Sequence, residues 1–262
     1  MNGHREIRLD RLTSPEIAEL VRDTHRSGHR PLAVLPVGAI EQHGPHLPTG
    51  TDIALSSAVA EAAVYSVPDA VLTAPVPYGV SPHHRDFAGT MSLRAQTFVA
   101  ILNDLAADLW EDGFTPVFLN GHGGNRAALG VVVSDLGEVG VCTAAITYFE
   151  HIAQEAAEIL PDAAGGTGHA GALETSLMLH LRPESVRCDR IPAGTTPPAW
   201  PDPHLYAKAA PTVWRRFSHI NPTGVIGTPS QAEANAGAQL FHAATTAVAD
   251  LLSRFQEHYG RI

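Results

Sequence analysis

Glu41, His43 and Asp52 are the first residues in the chain whose types and spacing suit chemistry. Glu41 and His43 alternate by two, so in an extended segment both side chains point to one side. Asp52 follows a Gly/Pro loop, at the start of a helix-forming stretch. A carboxylate, an imidazole and a second carboxylate converging on one point would suit Zn, Mn or Fe. A second locus, Asn120-Gly121-His122-Gly123-Gly124-Asn125, sets His122 among glycines that let the backbone approach a ligand closely. A third, Gly168-His169-Ala170-Gly171-Ala172-Leu173-Glu174, brings Glu174 into the first turn of a helix beside the loop of His169. Each locus alone also has an ordinary reading. Asp52 and Glu174 both sit where a helix dipole favours an acidic residue, and a histidine between glycines can simply belong to a turn.

The elements that must hold these groups follow from the pattern of apolar and turn residues. A helix is expected over 14–27, with Ser14 as its cap and Pro15 in the first turn. Buried strands are expected at 32–38, 71–76, 116–119 and 141–148. Helices are expected over about 52–64, 94–111, 126–136 and 171–181. Residues 189–228 are loop-rich, carry Trp200, Tyr206 and Trp214, and show no regular pattern. Thr228-Pro229-Ser230-Gln231 has the form of a capping box opening a last helix to about Arg254. Strands alternating with helices imply an α/β fold, a single three-layer α/β/α domain over 1–262 with a mainly parallel sheet. In such sheets ligands bind beyond the carboxyl ends of the strands. The loops of His43 and His122 fall there.

The bulk composition narrows the partners. Seventeen Lys and Arg against 27 Asp and Glu give a formal charge of −10. Nucleic acid and anionic membranes need the opposite balance. No stretch approaches the length of a membrane span, and the polar start shows no signal-peptide core. The two cysteines, Cys142 and Cys188, are too few for a disulfide framework, which points to a reducing cytoplasm, and Cys142 is expected in the core. The 15 histidines cluster in loops: His43 and His46, His83 and His84, His122, His169. Histidine is the commonest metal ligand and a general base.

Taken in order, these segments resemble the creatininase family of metalloenzymes. The residues that carry the resemblance are Val37 to Pro48 with Thr51-Asp52, Phe87-Ala88-Gly89-Thr90, Asn120 to Asn125 and His169 to Ser176; Gly224-Val225-Ile226-Gly227 matches more weakly. The resemblance implies a pair of divalent metal ions (Zn, Mn or Fe) held by Glu41, His43, Asp52, His122 and Glu174, with Asp52 bridging. Creatininase carries a further ligand Glu two residues after the histidine of its second loop. Gly124 stands there in this chain, and Glu174 is expected to replace it. His169 is then the acid/base residue, with Glu174 also catalytic, and His84, Gly123 and Gly124 are candidates for substrate contact. Three carboxylates converging without metal would push at least one pKa up.

The activity implied is metal-assisted hydrolysis of a cyclic or linear amide in a small molecule or short peptide, classed with hydrolases of C–N bonds other than peptide bonds. The family includes creatinine-opening enzymes, a deformylase and a peptidase of the mycofactocin pathway. Creatininase itself surrounds its substrate with tryptophans. The segment where they would fall, between Glu111 and Ala199, has none, which argues against creatinine. A lactam-forming relative running the reverse reaction and a non-catalytic metal-binding scaffold are the alternatives. The resemblance also implies a homo-oligomer, a hexamer as in creatininase.

Overall fold

The computed structural model describes residues 5–160, 168–194 and 213–260. Four strands form one parallel sheet in the order β2-β1-β3-β4, with β1 at Leu32–Val37, β2 at Ala70–Leu72, β3 at Thr115–Asn120 and β4 at Ala144–Thr147. Every residue of β1 and β3 is buried. That explains why both read as continuous apolar runs rather than alternating ones.

Alternation along the strands sorts their side chains to two faces. Leu32, Val34, Val117 and Leu119 enter a core with α2 (Thr51–Tyr65), α6 (Ala172–Leu181) and α8 (Ala234–Tyr259). Leu35, Val37 and Phe118 enter a second core with α3 (Ala95–Glu111) and α4 (Arg126–Glu138). Beside the latter, α1 (Ser14–Arg26) covers Ala33, Val71 and Phe114 through Val21. The result is the three-layer α/β/α arrangement expected.

Several boundaries differ from the sequence reading. The cap of α1 is Thr13, not Ser14: Thr13 and Glu16 form a reciprocal capping box. The second strand stops at Leu72, and Val76 makes only an isolated bridge to Val37. Pro75, which has no N–H to give a ladder, lies between. Thr228 to Gln231 forms a single 3-10 turn, and α8 starts three residues later and runs past Arg254 to Tyr259. The segment expected to be irregular contains a short helix, α7 (Phe217–Ile220). Tyr148–Ile152 and α5 (Ala153–Ile159), between β4 and α6, were not foreseen. Cys142 is only half-buried, and it and exposed Cys188 are free thiols. Trp214 is exposed; Trp200 and Tyr206 lie outside the described residues. No helix among the described residues is long and apolar enough to cross a membrane.

Candidate metal centre

In the strand order β2-β1-β3-β4 the chain direction of the crossovers reverses between β1 and β3. Such switch points leave a crevice beyond the strand ends. The loop after β1 carries Glu41, Gln42 and His43 into it and ends at α2, whose first turn holds Asp52. The loop after β3 brings His122, held by Asn120, which accepts from the His122 backbone N–H at 3.1 Å and donates to its carbonyl at 2.8 Å. The first turn of α6 brings Glu174.

These side chains meet. His43 Nε2 lies 2.9 Å from Asp52 Oδ1 and 3.7 Å from Glu174 Oε1. His122 Nδ1 lies 3.1 Å from Asp52 Oδ2, and its Nε2 lies 3.3 Å from Glu41 Oε2. Among the described residues four groups have the spacing of a metal donor set: Glu41 with His83 and His84, Glu41 with His43 and His169, and two that share Asp52, namely Glu41 with Asp52 and His122, and His43 with Asp52 and Glu174. The residues of the last two are buried except Glu174, whose side chain is 14% exposed. It lines a small cleft with Asp52, His122, Gly123, Phe149 and His169.

The expected upward carboxylate shift is not what Asp52 shows. Burial raises its pKa, but His43 and His122 outweigh that and hold it far below the usual carboxylate range. Burial likewise disfavours charge on His122, yet Glu41 and Asp52 lift it to about 9. His43 is raised well above its ordinary value, Asp52 and Glu174 overcoming burial. The two imidazoles therefore carry protons where a cation's charge would otherwise balance the carboxylates.

Two observations test whether a metal fits. Both Glu41 oxygens and Asp52 Oδ2 are buried and lack a hydrogen bond of good geometry, facing ring nitrogens of His84 and His122 at 3.1–3.3 Å. Leaving buried charged oxygens unsatisfied is costly, and cation coordination would remove the cost. Gly124 explains the missing creatininase-type carboxylate. A Cβ there would lie 2.4 Å from His122 Nε2 and from Val80 O, and 3.0 Å from His83 Cε1. A side chain there would have to displace its neighbours, whereas Glu174, from the first turn of α6, groups with His43 and Asp52. The donors present thus suit a divalent cation.

His84, a candidate for substrate contact, is buried, with Nε2 3.2 Å from Glu41 Oε1. His83 stacks on His122 with ring centroids 5.8 Å apart. Burial pushes His84 and His169 well below the usual histidine range, with neighbouring histidines adding to it. The same causes take His83 down to about 3. His169 Nδ1 lies 3.7 Å from Glu41 Oε1. Of the proposed substrate contacts, Gly123 lines the cleft and Gly124 does not. Two residues were missed. Phe217 of α7 packs on His84 and His169, with centroids 4.1 and 5.3 Å away. Gln42 hydrogen-bonds into the cluster. Nothing in the pattern of 189–228 marks Phe217, whereas Gln42 lies inside the first motif.

A parallel α/β fold with a buried imidazole–carboxylate cluster at its switch point defines a metallohydrolase-type site. The model of the creatininase family (creatinine amidohydrolase) matches residues 10–252, and the chain belongs to that family. It is 35% identical over 222 residues to the mycofactocin precursor peptide peptidase of Mycobacterium ulcerans, covering 80% of each chain. It is 29% identical over 185 residues to creatinine amidohydrolase of Pseudomonas putida, covering 63% of this chain and 71% of that one. The solved structure described as Creatininase Mn superimposes with a TM-score of 0.78 at 24% identity, over 96% of this chain and 99% of that one. The expected restriction to C–N bonds outside peptides is not upheld, because the Mycobacterium ulcerans relative is named a peptide peptidase.

Proposed function

We propose that the protein is a two-metal amidohydrolase that cleaves an amide C–N bond, with a short peptide as the favoured substrate. The observation that carries the metal reading is the pair of donor groups sharing Asp52, whose Glu41 and Asp52 oxygens are buried without a hydrogen bond of good geometry. Glu41, Asp52 and His122 would hold one ion; His43, Asp52 and Glu174 would hold the other. When bound, such ions supply an activated water and polarise a carbonyl. Glu174 is also anchored from behind, because Oε2 accepts from the Ala170 N–H. Ala170 adopts a left-handed backbone at φ 50, a strained state tolerated where geometry matters. His169, neutral because burial disfavours its charge, is placed to carry a proton to the leaving nitrogen. Phe217 packs on His84 and His169, and Phe149 lines the cleft.

The peptide preference rests on the higher identity to the peptidase than to the creatinine enzyme. It rests also on the departure from creatininase at Gly124 and on the lack of tryptophan between Glu111 and Ala199. We further infer a homo-oligomer, as the resemblance implies. The test is metal analysis of the purified protein together with hydrolysis of a panel of short peptides, linear amides and creatinine, for wild type and Glu41→Ala. Bound divalent metal and peptide cleavage lost in Glu41→Ala support the reading. A metal-free wild type, or cleavage that survives Glu41→Ala unchanged, ends it.

A further inference from the structure

Gln42 lies between the metal-ligand candidates Glu41 and His43 and has no part in the reading above. Its side chain is buried beside two backbone carbonyls and two histidines, and one proton assignment gives both carbonyls a donor, leaving His84 Nε2 facing Glu41 Oε1 at 3.2 Å without hydrogen-bond geometry. Gln42 Oε1 accepts from the Gly44 backbone N–H at 2.8 Å. A backbone N–H can only donate, so the amide orientation is set without inspecting the histidines. Gln42 Nε2 therefore faces Gly224 O at 3.1 Å, His84 Nδ1 at 2.9 Å and His169 Nε2 at 2.9 Å. His169 Nε2 also lies 2.8 Å from the backbone carbonyl of Gln42. The amide has two protons for three neighbours. Gly224 O and Gln42 O can only accept. If His169 Nε2 carries a proton it satisfies Gln42 O, and the two amide protons go to Gly224 O and His84 Nδ1. If it does not, Gln42 O loses this donor and one amide acceptor goes without.

We propose that Gln42 is a positioning residue that fixes the tautomers of two active-site histidines. His84 accepts at Nδ1 and carries its proton on Nε2, facing Glu41. His169 carries its proton on Nε2, facing the Gln42 carbonyl, so Nδ1 is its free lone pair towards the carboxylates. Under the proposed hydrolase reading, on which the catalytic meaning of this inference rests, Nδ1 of His169 is the atom that takes and returns the proton.

The Gly224–Gly227 segment, a weak motif by itself, is the other half of the device. Gly224 has φ 75, and a Cβ on it would lie 2.2 Å from Gln42 Oε1, so only glycine leaves room for the amide. Two residues on, Ile226 pairs with His169 through both backbone bonds, each 2.8 Å. Gly168 closes on the same carbonyl: its Cβ would be 2.1 Å from Ile226 O. The loop that receives the Gln42 amide thus also holds the backbone of His169.

The test is long-range nitrogen–proton NMR on protein labelled with 15N-histidine, metal-free and zinc-loaded, near pH 7. His84 and His169 are assigned from the signals lost in His84→Gln and His169→Gln. Both rings in the Nε2–H form in wild type support the proposal. His84 protonated on Nδ1, or His169 protonated on Nδ1, overturns it. In Gln42→Glu the donor facing His84 becomes an acceptor, so the His84 proton moves to Nδ1 while His169, held by a backbone carbonyl, keeps its form. An unchanged His84 in that variant also overturns it. If Gln42→Glu does not fold, Gln42→Met removes the donor at similar volume, and the His84 signals shift to a mixture of tautomers; unshifted signals overturn the proposal. The metal-free spectra read the tautomers even if the protein proves to bind no metal, so failure of the hydrolase reading and failure of this inference are separable.

Discussion

Gly124→Ala probes the second loop most sharply. The added Cβ would lie 2.4 Å from His122 Nε2 and from Val80 O, where ordinary contact begins at 3.4 Å. Something must therefore yield by about 1 Å, the difference between those two figures. The Val80 side of the contact is tied down, because its N–H donates to Asn125 Oδ1 at 2.9 Å and its carbonyl belongs to the same chain turn. The His122 ring must then shift, which disturbs its contacts with Glu41 Oε2 and Asp52 Oδ2. Overpacking of this kind costs about 1–3 kcal/mol. If that cost falls on the geometry that holds metal, zinc affinity drops about 5- to 150-fold, at roughly 1.4 kcal/mol per tenfold. The assay is zinc competition against a chromophoric chelator. Gly130→Ala in α4 is the control, because nothing lies within 4 Å of its Cβ, and zinc affinity should match wild type. Wild-type zinc affinity in Gly124→Ala would refute the argument that His122 is a ligand locked by a bare loop.

Three further outcomes follow from the same geometry. In the metal-free protein the folded pKa of His122 is about 9, above its unfolded value, so its stabilising contribution is full below about pH 6.5 and is lost as pH rises through 9. Metal must displace that proton and the one on His43. Zinc uptake at pH 7 should therefore release protons and strengthen as pH rises towards 9; calorimetry in buffers of different ionisation enthalpy reads this directly, and uptake without proton release contradicts it. Chelation should lower thermal stability. With free zinc at 100 times its Kd, the loss is about 2.7 kcal/mol per ion removed, or roughly 5–11 °C per ion for a chain of this size; an unchanged midpoint by differential scanning calorimetry would show that the ions add nothing to the fold. Phe98→Ala, in the fully buried core between α3 and the sheet, should cost about 3–5 kcal/mol in denaturant unfolding while leaving the zinc content intact; loss of zinc at full folding would mean the core and the site are coupled.

What the sequence disclosed depended on how local the cause was. β1 and β3 were legible because strands buried on both faces read as unbroken apolar runs, and the loops after them were legible because each carries candidate ligands in a short motif, Glu41 and His43 in the first and His122 among glycines in the second. Glu174 looked like an ordinary helix-start carboxylate until the family resemblance linked it to the others; the crowding at Gly124, which leaves no room for a side chain there, becomes visible only in the structure. The start of α8 was misplaced because a capping-box pattern also suits a single 3-10 turn. Phe217 was invisible because its position over His84 and His169 is created by tertiary packing, in a segment with no periodicity. Gln42 was in plain view, but its partners come from residues 84, 169 and 224, and no local pattern announces a bond across such separations.

The proposed function turns on two divalent ions that the groups sharing Asp52 would hold. A crystal of zinc-loaded protein measured on either side of the zinc absorption edge tests it most directly. Two anomalous peaks per chain are predicted, one among Glu41, Asp52 and His122 and the other among His43, Asp52 and Glu174. A single peak, or peaks that leave Asp52 uncoordinated, would contradict it.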